Sequence, residues 1–184
     1  PFSCMDVQDI FKVTGPSPWS KMFSAKFINM HNLRFQNLQR ANDLCFVFSA
    51  LTLADRIVTI PNTCVHYRVG QSTNLQSGIS ASPDIACKAL LGLKERIKDE
   101  MPWPHVRNSF SNYALENIGY NMRLLESNPN AENVLATRCK NKYWDEFELT
   151  YLNETGCKNP DLYRKLQNKM EITPKARPKV SVVI

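Results

Sequence analysis

With 184 residues and 43% apolar side chains, the chain can bury the core of one domain or somewhat more. No apolar run approaches the roughly 18 residues of a membrane-crossing helix, and the opening "PFSCMDVQDIF" lacks the charged and then apolar sections of a secretory leader. The formal charge of +6 favours anionic partners such as nucleotides, phosphates, nucleic acid or an anionic membrane surface, and equally describes a solvated basic surface.

Taken in chain order, residues 4–12 carry a weak helical period, with Met5, Ile10 and Phe11 on one side, until Gly15, Pro16 and Pro18 break it. "SKMFSAKFINMHN" then predicts a helix with Ser20 as its N-cap and Met22, Phe23, Phe27 and Ile28 on one face. "LRF" is a short extended piece. Asp43 caps, or sits in the first turn of, a buried helix "DLCFVFSALTLA". "RIVTI" and "CVHYRV" flank "PNT" and predict two short strands joined as a hairpin. "GQSTNLQSGISASPD" is loop-like. From Pro83 the character changes. "PDIACKALLGLKERIKDEM" places Ile85, Ala89, Leu90, Leu93 and Ile97 at helical spacing with charges opposite. "VRNSFSNYALENIGYNMRLLES" repeats the pattern with Phe110, Ala114, Leu115, Ile118 and Leu125. "NAENVLATRCKNKYWDEFELTYL" predicts one or two further helices and "NPDLYRKLQNKM" a last short one, so residues 83–171 read as a helical bundle. Trp103 and Trp144 are assigned to its packing.

Cysteines stand at 4, 45, 64, 87, 139 and 157, with no C-x-x-C pair and no His in metal-ligand register with any pair. Cys45 and Cys64 fall in apolar runs and read as small buried hydrophobes of a reducing compartment.

Asp43 is the leading candidate for chemistry. A carboxylate at a helix start is held ionised by the free N–H groups there, and a general base needs that placement within reach of an acceptor hydroxyl. A plain first-turn acid has the same signature. Lys21 and Arg68 could clamp a diphosphate through charge-assisted bonds, with Ser72 adding a hydroxyl, or could sit on a solvated face. His66 is a candidate phosphate donor or metal ligand and also a plain strand residue. Trp19, after Pro18, suits either a stacking wall for a sugar or base or a core anchor.

The order "PSPWSKMFSAKFI…LRFQN…NDLCFVFSALTLADRIVTIPNTCVHYRVGQST" resembles the C-terminal half of a family 2 glycosyltransferase with the GT-A fold. That family commonly reads P-x-W-x-K-L-[FY], then L-R-F, E-D-x-x-F, A-x-R-I and a Y-x-Y-R segment followed by Ser; the likeness covers about Gly15 to Thr73. The resemblance carries the family's catalytic base to Asp43, with Asn42 in place of the usual Glu. It carries the donor-diphosphate contacts to Lys21, Arg68 and Ser72, with Trp19, His66 and Tyr67 as substrate-lining residues. It further implies a nucleotide-diphosphate sugar donor and a divalent metal, Mg or Mn, held by a D-x-D motif that would precede Pro1, since none occurs in these residues.

The expected fold is therefore α+β and mainly helical. Residues 1–82 form the acceptor-side half of a GT-A domain, residues 83–173 a helical connector, and residues 174–184, "PKARPKVSVVI", a linker and the first strand of a following transferase domain. The expected function is part of an inverting bacterial sugar transferase of surface-polysaccharide synthesis, inactive by itself. It would work in the cytoplasm or at the inner face of the membrane, with a glycan acceptor, no nucleic-acid partner, and self-association through the face left exposed. The alternative is a non-catalytic helical interaction module docking on a protein or an anionic membrane.

Overall fold

The apolar residues spaced for helices after Pro83 are the ones that the protein buries. In the computed structural model, which describes residues 1–63, 65–66, 75–152 and 156–173, Ile85, Ala89, Leu90, Leu93 and Ile97 form the inner face of α3 (Ile85–Ile97). Phe110, Ala114, Leu115 and Ile118 do the same in α4 (Trp103–Leu124). The chain is mainly helical. Before these come α1 (Ala25–Met30) and α2 (Asn42–Leu53), and after them α5 (Pro129–Arg138), α6 (Trp144–Glu146) and α7 (Pro160–Met170). α5 and α7 each start at an Asn-Pro pair. The side chains of Asn128 and Asn159 accept from the amides of Ala131 and Leu162, while the proline ring presets the first helical φ. A π-turn over Cys139–Tyr143 joins α5 to α6 and turns Tyr143 and Trp144 into the core.

α2 is apolar around most of its circumference, with Leu44, Phe46, Val47, Phe48, Ala50 and Leu51 all buried, as suits a helix enclosed by neighbours. It packs chiefly against α3, and α3 packs on α4. Phe11, in a 3-10 turn over Ile10–Lys12, wedges edge-on between Phe48 of α2 (5.2 Å) and Phe110 of α4 (6.2 Å). One hydrophobic cluster thus runs from Cys4 through α2 to Met170, so the helices after Pro83 and the segment before it share a core.

Several sequence expectations change. The helix expected from Ser20 starts instead at Ala25, because Ser24 accepts the Phe27 amide and acts as the cap, while Ser20 belongs to a separate 3-10 turn, Pro18–Ser20. Met22 consequently lies 91% exposed rather than on an apolar face, and Phe23 turns inward onto Phe46 at 5.1 Å. Residues 4–12 form two short 3-10 turns in which Ile10 and Phe11 are buried and Met5 is exposed. The described residues contain no strand, and the expected first arm of the hairpin, 56–60, is not one. Ile57 instead exchanges both backbone hydrogen bonds with Phe2, at 2.9 and 2.6 Å, as an isolated antiparallel bridge. Phe2 and Ile57 both pack on the core, whereas Val58 and Ile60 face solvent and Pro61 supplies no N–H. Most of the expected second strand, Cys64 and residues 67–69, lies outside the described residues, as does the expected strand at 180–184. Among the described cysteines, Cys45 is only half-buried, whereas Cys4, Cys87, Cys139 and Cys157 are buried free thiols. No helix of the described residues is long and apolar enough to cross a membrane.

Candidate functional site

The start of α2 is built by an unusual backbone. Ala41, at the N-cap position, has φ 55° and ψ 21°, the left-handed region that costs a non-glycine residue roughly 1–2 kcal/mol. Its methyl group offers no capping oxygen. The loop before it is instead pinned by the Gln36 amide donating to the Asn42 carbonyl at 3.1 Å. This turn places Asp43 in the first helical turn, where its own amide and that of Leu44 favour its charged form. Burial pushes the Asp43 carboxyl above its ordinary value; the two amides and the Lys21 ammonium oppose this without cancelling it.

Lys21 lies close enough for its charge to act on Asp43. Its Nζ donates to the carbonyls of Gly15 (2.9 Å) and Ser17 (2.7 Å) and to Ser20 Oγ (3.3 Å), so the ammonium closes the proline-rich turn on itself. Burial lowers its pKa, and the Asp43 charge works against that. The two charges sense each other without direct contact, since Lys21 spends its donors on the turn. A third group, Tyr113 of α4, lies within reach of the same field. Its hydroxyl is pushed up to about 12, first by burial and then by the Asp43 and Glu116 charges, with the nearby Asn117 side chain working the other way. Its ring packs edge-on against Phe48 at 4.8 Å.

The structure thus gathers Asp43 and Lys21 from the sequence candidates and adds Tyr113, which the sequence reading left among helix residues. Trp19 stands 53% exposed in the turn that Lys21 closes. His66 is exposed. Tyr67, Arg68 and Ser72 lie outside the described residues. No group of three or more His, Cys, Asp or Glu among the described residues could hold a metal ion, so His66 finds no fellow ligands there.

A second ionisable cluster, missed in the sequence, centres on Asp84 at the start of α3. Its carboxylate, 2% exposed, accepts from Arg138 Nη1 at 2.6 Å and from the Tyr143 hydroxyl at 2.9 Å, and Lys88 Nζ lies 3.4 Å away. Burial alone would raise the Asp84 pKa; the Tyr143 bond and the Lys88 and Arg138 charges outweigh it and hold the carboxyl below its ordinary value. The sequence offered one signal, an acid just after Pro83 at a helix start, and none for its distant partners. Comparison with protein-family models, with curated proteins and with solved structures finds no match for this chain.

Proposed function

We propose that this chain carries the acceptor-side part of an inverting glycosyltransferase with a GT-A fold, and that Asp43 is its general base. The observation that carries the reading is the half-buried Asp43 carboxylate at the start of α2, raised by burial toward the range in which it can take a proton, with Lys21 and Tyr113 sharing its field. The order of motifs between Gly15 and Thr73 supports it independently. In this mechanism Asp43 takes the proton of an acceptor hydroxyl. The oxygen attacks the anomeric carbon of a nucleotide-diphosphate sugar, and the bond from that carbon to the diphosphate breaks. Arg68 and Ser72 donate to the leaving diphosphate as charge gathers on it, Lys21 adds its positive charge at longer range because its three donors stay with the Gly15, Ser17 and Ser20 oxygens, and Trp19, His66 and Tyr67 line the substrate. The resemblance assigns the donor half and the divalent metal to residues upstream, and the product to surface polysaccharide made at the cytoplasmic face.

The test is sugar transfer by the full-length transferase. Asp43→Asn should abolish transfer and leave donor binding nearly intact, because an amide keeps the shape and cannot accept the proton. Transfer within about tenfold of the unmodified enzyme, a barrier change of only about 1.4 kcal/mol, would remove Asp43 from the mechanism.

The second reading, a helical module that docks on a protein or an anionic membrane, draws on the formal charge of +6 and on the individually exposed side chains of Met22, Met30 and Met101. It requires replacement of these residues by Ser to abolish a binding activity, and Asp43→Asn to have no effect on any activity of the protein.

A further inference from the structure

A cleft of about 570 Å³ lies between the turn before α3 and the start of α5, and the transferase reading makes no use of it. Its size falls in the roughly 300–1,000 Å³ range of small-molecule sites. Ser80, Ser82, Asp84, Lys88, Asn130 and Arg138 line it. The single carboxylate on this wall is Asp84, and the fold has committed it. It is buried, and its oxygens already receive Arg138 and the Tyr143 hydroxyl, with Lys88 close by. Lys88 and Arg138 are both about half exposed, so each keeps N–H donors directed at solvent after meeting Asp84.

Two cations against one buried carboxylate leave the lining with a surplus positive charge. The remaining polar side chains, the hydroxyls of Ser80 and Ser82 and the amides of Asn128 and Asn130, can all donate, the Asn128 oxygen being taken up by the Ala131 N–H. Asp84 also holds the guanidinium and the ammonium on one wall before any ligand arrives, which reduces the ordering cost of binding. A planar guanidinium beside an ammonium and hydroxyl donors matches a phosphoryl group, which presents several acceptor oxygens and up to two charges. The space beyond the cations leaves room for the body that carries it.

We propose that this cleft binds a phosphorylated small molecule, with Arg138 and Lys88 taking the phosphoryl group and Asp84 positioning both. Inorganic phosphate titrated into this chain should give saturable amide shifts confined to residues 80–88 and 128–138, with Kd near the millimolar range, about −4 kcal/mol. Glucose 1-phosphate should bind at least as tightly as phosphate, and glucose should not bind. Acetate binding as tightly as phosphate would overturn the assignment to phosphate.

Two variants test the geometry. Lys88→Gln, at a half-exposed position, should weaken phosphate binding about tenfold, a loss of about 1.4 kcal/mol. Asn130→Asp removes no structural partner and puts a carboxylate at the mouth, in the first turn of α5 where an acid favours the helix. It should keep or raise the melting temperature and still weaken phosphate binding about tenfold. Unchanged affinity in both variants, or no saturable shift, overturns the proposal. The readout is binding by this chain without a nucleotide sugar, so its failure leaves the transferase reading standing, and the loss of that reading leaves this site standing.

Discussion

Two carboxylates open two neighbouring helices, and their surroundings drive them in opposite directions. Asp43 enters α2 after a strained Ala41 with two backbone amides favouring its charge, and its cation, Lys21, is occupied by the carbonyls of its own turn. Asp84 enters α3 almost fully buried, yet receives Arg138, Tyr143 and Lys88. Burial works to raise both carboxyls; at Asp43 it prevails over the amides and Lys21, and at Asp84 the Tyr143 bond and the Lys88 and Arg138 charges outweigh it. Burial by itself therefore does not decide which carboxyl is poised to take a proton; the partners the fold delivers to it do. Asp84 is the pattern of an ion pair that fastens helices, whereas Asp43 is charged at some cost to stability, which is the mark expected of a working group.

The largest way to break this contrast is to remove the fastening carboxylate. Asp84→Ala should destabilise the chain by about 3 kcal/mol, the low end for breaking a buried pair because both cations keep access to water, measured as a shift in the urea midpoint. A loss below about 1 kcal/mol would reduce the cluster to the rank of a surface ion pair.

Next comes the neutral partner. Tyr143→Phe deletes the 2.9 Å bond and keeps the ring stacked on Phe147 at 5.5 Å. It should cost about 2 kcal/mol, the scale of a hydrogen bond to a charged group. Thermal melts of the variant alone and combined with Asp84→Asn would show non-additive losses if the two act as one unit.

The two acids should also separate in an acid scan. The lowered Asp84 contributes stability that is present above its ordinary value of 3.8 and lost as the pH falls through its folded value. The raised Asp43 has the opposite sign: its contribution is present below 3.8 and lost as the pH rises through its folded value. Asp84→Asn should thus flatten the loss of stability between about pH 5 and 2, and Asp43→Asn should steepen it. Parallel curves for the two variants would remove the contrast.

The smallest effect has the most telling sign. At neutral pH, Asp43→Asn should stabilise the chain, by less than about 1 kcal/mol, since an amide escapes the burial cost that raises the carboxyl. A clear drop in melting temperature would mean that Asp43 is simply a capping acid for α2.

How much of this was legible depended on the range of the interaction. The sequence by itself determined the helices after Pro83, because Ile85, Ala89, Leu90, Leu93 and Ile97 in α3 and Phe110, Ala114, Leu115 and Ile118 in α4 repeat at the period at which one helical face must leave water. It also placed Asp43 at a helix start, where apolar periodicity begins beside an acid. Where several local solutions were nearly equal, the tertiary structure chose. Ser24 rather than Ser20 caps α1, since the Pro18 turn is held by Lys21. Ile57 pairs with Phe2 because both can then pack on the core. The charge states lay furthest from view. Asp84 meets Arg138 and Tyr143 across 54 and 59 residues of chain, and Tyr113 reaches the field of Asp43 from α4. No local pattern records such meetings. They exist only once α3, α4 and the π-turn have packed around one core, and it is that packing which sets the dielectric surroundings and the partners of each carboxylate.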